Sequence, residues 1–526
     1  MKTFSACFVL PLLVILLISQ SSLSSSAPSP AAFQKCLSTF NTTIDPQLIY
    51  TPTSPNFSAV LNFYVRNLRY ATPSTPKPQL ILTPTTFAHV QAVVLCAKQT
   101  SFQLRIRSGG HDYEGLSYVS QVPFILLDLN LLRDIKIDMA SESATVQAGA
   151  TLGELYYQIA QASNVHAFTA GSCTTLGAGG HFSGGGYGAL SRKYGLAIDH
   201  IVDATIVDVN GKILDRKAMG EDLFWAIRGG GAASFGVVLS WKINLVRVPE
   251  SLSLFTVHKT LEQGATDVVD KWQQLAAEDK LDKDLFIRVT FAPANNGTGN
   301  QTNTVVATFT GGFLGDTKTL LNYVGDEFPE LGLTEQNITV SSWANSTLFW
   351  AGSLGPITPT LETLLNRTPA YSIYLKQHSD YVKTPIPKSG LEELWKKIME
   401  LGPLTNVAFS PYGGMMSEIG ESDTPFPHRA GTLYKLQYVS FWKDAGVGDK
   451  FIQAADDIYK FFTPYVSASP RETYLNYRDL DVGTNAGGGK DFGYKYFKKN
   501  FDRLIKIKTA VDPENFFQYE QSIPTL

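Results

Sequence analysis

Cysteine, charge and long apolar runs are all scarce in this chain of 526 residues, and each shortage closes a class of function. Only four cysteines occur, and no two have C-x-x-C spacing. H-E-x-x-H is missing too, so no metal site is expected. Charged residues make up 17% of the chain and nearly cancel, 44 Lys and Arg against 47 Asp and Glu. That balance gives no electrostatic reason to expect nucleic acid or an acidic membrane surface as partner. The apolar run near the N-terminus is short for a bilayer span, and no later run reaches that length. There is no G-x-x-x-x-G-K-[ST] phosphate loop. The glycine cluster starting at Gly177 misses the G-x-G-x-x-G dinucleotide spacing, because Phe182 takes the last glycine place. Ser183 stands in HFSGGG, not G-x-S-x-G, so a hydrolase elbow has no support.

What is present begins with export. Lys2 precedes an apolar run from Phe4 to Ile18 and then SQSSLSSSA, the layout of a secretory signal peptide over residues 1–27. Seven N-x-[ST] sequons, at Asn41, Asn56, Asn296, Asn300, Asn337, Asn345 and Asn366, are expected glycosylation sites on that route. With Cys7 removed, Cys36 and Cys96 can pair in an oxidising compartment, and Cys173 is left over. A lone buried thiol can be a small hydrophobe. Cys173, however, stands among glycines, which points to a role.

The length predicts two or three domains. Residues 28–74 read as irregular, rich in Pro and Ser. From 75 to 249, strands at QLIL, LRIR, FILLDL and SATVQ alternate with helices at TTFAHVQAVVLCAKQ and TLGELYYQIAQA, the latter opened by a Thr151/Glu154 capping box. HIVDATIVDVNGKIL predicts a hairpin around Asn210-Gly211. Residues 250–477 form a second α+β region, with strands at LSLFTVHKTL, LFIRVTFAP, TVVATFTGG and GTLYKLQYVSFW. Period-two alternation puts Lys435 and Gln437 on one face of the last of these. The tail, 478–526, predicts one basic amphipathic helix ending before Pro513, its charges solvated.

Glycine concentrates in three places: RSGGHDYEG around His111, GSCTTLGAGGHFSGGGYG around Cys173, and RGGGAASFG from Arg228 to Gly236. Glycine lets backbone come close to a ligand, and successive N–H groups in such nests suit a pyrophosphate. Three beds about one histidine and one cysteine predict an extended ligand contacted by several loops.

RIRSGGHDYEGLSY, CTTLGAGGHFSGGGYGALSRKYGLAIDH, DLFWAIRGGG, YLNYRDLD and DPENFF together resemble the plant berberine bridge enzyme-like flavoproteins, within the wider vanillyl-alcohol oxidase group. The resemblance runs from about residue 35 to the C-terminus. It implies an α+β fold, a two-part FAD-binding domain (28–249 with 478–526) flanking a substrate domain of antiparallel sheet covered by helices (250–477). It also implies FAD bonded to both His111 and Cys173, in a cradle of Arg107, Ser108, Gly109, Gly110, Gly177, Gly179, Gly180, His181, Gly184 and Gly185. The catalytic set it implies is Tyr113, Tyr187, Lys435, Gln437 and Tyr477. Tyr477 or Tyr187 would be the base, kept as phenolate by Lys435, while Tyr113 and Gln437 position the substrate hydroxyl. Arg288 is a candidate substrate contact. The founding enzyme has a glutamate where this chain has Gln437, which speaks against its ring-forming chemistry and for oxidation of a monolignol-like alcohol. Sugar oxidation, cyclisation of Diels–Alder type and a flavin-binding storage role stay open. Leu176, three residues after the cysteine, implies poor reactivity with oxygen and therefore an unknown electron acceptor. The expected protein is a monomer of the apoplast, cell wall or vacuole acting on a small molecule.

Overall fold

The computed structural model describes residues 28–40, 42, 44–295, 303–352, 360–368 and 372–526. The expected signal peptide and the sequons at Asn41, Asn296 and Asn300 lie outside them. The other four sequon asparagines are all exposed.

The first layer is a small sheet of β1 (Ile49–Tyr50), β2 (Leu80–Leu82), β3 (Gln103–Arg107) and β4 (Phe124–Asp128), in the order β1-β2-β4-β3. The last three are parallel. LIL and FILLD are buried on both faces, as parallel strands under helices require. The helix Phe87–Gln99 follows β2, capped by the Thr86 hydroxyl. Cys96 on this helix is disulfide-bonded to Cys36. Residues 28–74 are more regular than expected: they hold the helices Pro30–Leu37 and Phe57–Phe63 as well as β1. Each is too short to show a sequence period and is stabilised by packing of Phe33, Phe57 and Leu61.

Next come β5 (Ile135–Asp138), β6 (Ser143–Gln147), β7 (His166–Ala167), β8 (Ile201–Val207), β9 (Ile213–Leu214), β10 (Val237–Asn244) and β11 (Val246–Arg247). Five of them form an antiparallel sheet, β5-β6-β10-β8-β9, while β7 and β11 pair with each other. The capping box is present: the Thr151 N–H donates to Glu154 Oε2 at 2.8 Å and the Glu154 N–H to Thr151 Oγ1 at 3.3 Å. The β8–β9 hairpin turns at Asn210-Gly211, where Gly211 has φ +71°.

The third sheet has seven antiparallel strands: β12 (Leu252–Thr260), β13 (Leu285–Ala294), β14 (Thr304–Phe313), β15 (Ile338–Ser341), β16 (Tyr374–Val382), β17 (Asn406–Pro411) and β18 (Tyr434–Trp442). Their order is β15-β12-β14-β13-β17-β18-β16. Ile287, Val289, Leu436 and Tyr438 join a core with the helices Ala265–Ala277, Lys388–Leu401 and Gly448–Phe461. Alternation then sends Arg288, Lys435 and Gln437 to the opposite face.

The tail returns to the first core through Phe492, Phe497, Phe501 and Leu504. It forms two helices, Lys490–Phe497 and Asn500–Val511, where one was expected. The chain breaks at Lys498 (φ +48°), and the break lets Phe497 and Phe501 stack at 6.2 Å. Nor are all its charges solvated. Lys508 is fully buried, its ammonium 2.6 Å from Asp512 and donating to the carbonyls of Ser234 and Phe517.

Candidate active site

A cavity of about 380 Å³ opens where the glycine beds meet the uncovered face of the seven-stranded sheet and the segment 474–478. The first bed leaves β3 and the second follows β7; they touch directly. A Cβ on Gly109 would lie 2.3 Å from the Gly177 nitrogen, so only glycine allows this approach. Gly110 has φ +66° and leaves no room for a Cβ against the Tyr64 carbonyl. The Ser108 hydroxyl ties the floor down by donating to the Ala148 carbonyl at 2.5 Å.

On this floor the two reactive side chains converge on one hydroxyl. His111 Nε2 lies 3.0 Å from Thr175 Oγ1, and Cys173 Sγ lies 3.6 Å from the same atom. Burial and the nearby Arg66 push His111 down to about 3, so its imidazole is neutral. Burial and Lys435 likewise push His181 down to about 3. His181 Nε2 accepts the Gly171 N–H at 2.9 Å, which leaves any ring proton on Nδ1.

The facing wall is made of side chains. Gln437 Nε2 donates to the Tyr113 hydroxyl at 3.3 Å, and the rings of Tyr113 and Tyr477 meet edge-to-face at 5.9 Å. Lys435 is fully buried behind them, and its ammonium nitrogen has no hydrogen-bond partner among the described residues. It lies over three rings, 4.0 Å from the centroid of Tyr187, 4.1 Å from Tyr477 and 4.5 Å from Tyr474. Burial, and then Arg288, holds Lys435 well below the ordinary lysine range. Burial raises Tyr477, and the charge of Arg288 opposes the rise. The sequence expectation is a phenolate kept by Lys435. Tyr477 favours its neutral form, and the cation acting against that is Arg288.

Three further expectations change. Arg107 does not line the cavity, because its guanidinium is fully buried on Asp128 at 2.6 Å and on the carbonyls of Val60 and Leu61. Gly185 packs against the Tyr474 ring and is also off the lining. The Tyr187 hydroxyl donates to the Pro411 carbonyl at 2.5 Å, which occupies the proton a base would exchange. The remaining expected cradle residues, Ser108, Gly109, Gly110, Gly177, Gly179, Gly180, His181 and Gly184, all line the cavity, as do His111, Cys173, Leu176 and Arg288.

Sequence reading missed Arg105, Tyr474, Asn476, Arg478 and residues 517–519, which line it too. The Tyr474 hydroxyl accepts the N–H of Gly186 at 3.1 Å and of Tyr187 at 3.3 Å. Asn476 Nδ2 donates to the His181 carbonyl at 2.9 Å. The YLNY motif thereby locks the second bed. Whether an FAD-sized group fits can be judged from these residues. Space stands open above Gly180, where a Cβ would meet nothing, and buried Arg105 keeps Nε and Nη1 without partners. A glycine cradle with two unmet guanidinium N–H groups, on an arginine whose third nitrogen is held by Glu520 at 2.9 Å, suits a dinucleotide carrying a pyrophosphate.

Comparison with known proteins agrees. Residues 78–216 match the family described as FAD binding domain, and residues 473–524 the family described as berberine and berberine like. The chain is 49% identical to berberine bridge enzyme-like 8 of Arabidopsis thaliana, over 98% of this chain and 99% of that protein. It is 51% identical to the monolignol oxidoreductase AtBBE-like 13 of the same plant, over 89% of this chain and 88% of that one. Among solved structures, Phl p 4, a grass pollen allergen with glucose dehydrogenase activity, superposes with a TM-score of 0.88 at 42% identity, covering 94% of this chain and 99% of its own. The antiparallel sheet and the glycine-built cavity are those of an FAD-dependent oxidoreductase, and the chain belongs to the berberine bridge enzyme-like family.

Proposed function

We propose that this protein oxidises the alcohol group of a plant phenolic of monolignol type, with FAD bonded to His111 and Cys173. Supporting the double bond is the placement of both side chains on one floor, beside one hydroxyl and lining one cavity. Bound FAD supplies the acceptor for the hydride that leaves the carbinol carbon. The chain's own part is the proton. Tyr113 and Gln437 hold the substrate hydroxyl, and Tyr477 takes its proton while Arg288 offsets the charge that forms. Lys435 supports the tyrosine cluster from behind, and Leu176, on the cavity lining, would limit the room for dioxygen and favour another acceptor. The division 28–74, 75–249, 250–477 and 478–526 is proposed as two domains, the outer segments joining the FAD side. A disulfide and exposed sequons support secretion, to the apoplast and cell wall or the vacuole, and the protein is proposed to act as a monomer. No helix among the described residues is long and apolar enough to cross a membrane.

The observation that carries the reading is the continuous patch Gln437–Tyr113–Tyr477 above the beds. Sugar oxidation is the second reading, favoured by the likeness to a glucose dehydrogenase. An anaerobic screen of flavin bleaching with coniferyl alcohol, glucose and cello-oligosaccharides separates them; bleaching by sugars alone rejects the phenolic substrate. Burial keeps Tyr477 protonated until alkaline pH, so the bleaching rate should climb as pH rises. Tyr477→Phe should lower it by roughly 100-fold or more and remove the climb. Flavin fluorescence should stay with the denatured chain and vanish from the pair His111→Ala, Cys173→Ala.

A further inference from the structure

The edge strand β16 carries a run, Lys376 to Asp380, that is buried although every side chain in it is polar. Burying such groups is costly unless each is paired, and most of these partners lie in residues 473–481. Lys376 Nζ lies 2.9 Å from Asp479, 2.6 Å from Asp481 and 3.2 Å from Glu114 of the first bed. Gln377 Nε2 donates to the Arg478 carbonyl at 3.0 Å, and His378 Nδ1 lies 2.6 Å from Asp479. Ser379 Oγ meets Thr473 Oγ1 at 2.6 Å.

Glu114 directly follows Tyr113, and Asp479 stands two residues beyond Tyr477. A second strut, Arg478 to Asp112 at 3.1 Å, closes the other side. The two ionic struts thus tie the residues on either side of Tyr113 to the two that follow Tyr477, while Lys376 itself does not line the cavity. We propose that Lys376 is a positioning residue for the oxidation: one ammonium shared by Glu114 and Asp479 sets the spacing between Tyr113 on the bed and Tyr477 on the returning segment. This rests on the roles proposed above for those two tyrosines.

The test uses the FAD-loaded enzyme, with values taken per bound flavin. Lys376→Arg keeps the buried charge but cannot hold three carboxylates about a single nitrogen. A second variant, Lys376→Met with Glu114→Gln, removes cation and carboxylate together. Two readouts apply: the fluorescence lifetime of the bound flavin, which a nearby tyrosine shortens and which needs no substrate, and anaerobic bleaching by coniferyl alcohol or glucose. Either variant should lengthen the lifetime and slow bleaching about tenfold. Adding Tyr477→Phe should then cost less than it costs the parent, since the two act as a unit. A lifetime and rate equal to the parent's, or a fully additive Tyr477→Phe effect, overturns the proposal, because a merely structural ion pair would give those results. If Tyr477→Phe alone moves neither readout, the catalytic reading of Tyr477 fails, and the positioning role falls with it.

Discussion

Across the cavity, residues 108–110 and 177–184 line it largely with glycine, whereas Tyr113, β13, β18 and residues 474–478 line it with larger side chains. The backbone wall is rigid because its parts touch: Gly109 and Gly177 leave no room for even a methyl group. The side-chain wall depends on buried polar groups held by their neighbours, Lys435 over three tyrosine rings and, behind the lining, Lys376 among three carboxylates. One wall is suited to gripping a fixed cofactor, the other to moving a proton.

If that contrast holds, damage to the two walls should look different. Gly109→Ala drives a Cβ into main chain that cannot yield, and should destabilise by about 3 kcal/mol while abolishing flavin retention. Denaturant melts and visible absorbance check this; a normal yellow holoprotein would break the contrast. Acid should act first off the cavity, at Glu472, which is buried against His428 and Lys383 just before the 474–478 segment. Burial raises Glu472, but the hydrogen bond and charge of His428, and then Lys383, outweigh it and hold the carboxyl at about 2. Burial lowers His428 from its ordinary range, and the contacts of its ring nitrogens with Glu472 and the Tyr496 carbonyl oppose that fall. A depressed carboxyl contributes stability that is complete above its ordinary 4.5 and lost as pH falls to about 2. The loss should approach ~3 kcal/mol across that window. Glu472→Gln should flatten the acid limb of a stability curve, and an unchanged limb would show that the charges are idle. The smallest effect is expected from Leu176→Val, which widens the space on the backbone wall. Reoxidation by dioxygen should quicken about tenfold, equal to ~1.4 kcal/mol in barrier, with substrate bleaching unaltered.

The same contrast explains what could be read from the residues alone. The beds were legible because their glycines are contiguous and the need for close approach is written into each one. Lys435 and Gln437 were legible through strand alternation. β16 was not: Lys-Gln-His-Ser-Asp reads as a solvated stretch, and only partners about 100 residues away in sequence reveal that it is buried. Arg105 and Arg107 look alike in RIR, and their separate fates depend on where Asp128 falls. The tail read as one helix because the stop at Lys498 is a backbone conformation that no residue type there announces.

Phe517, Gln518 and Tyr519 complete the cavity, with Lys508 gripping the Phe517 carbonyl. The ribosome delivers them after every other lining residue. Until then the nascent chain can offer only an open half-shell, whatever its first domain has already folded. Stable capture of the flavin should therefore need the last residues of the chain, so a chain stopped short of Phe517 should purify colourless.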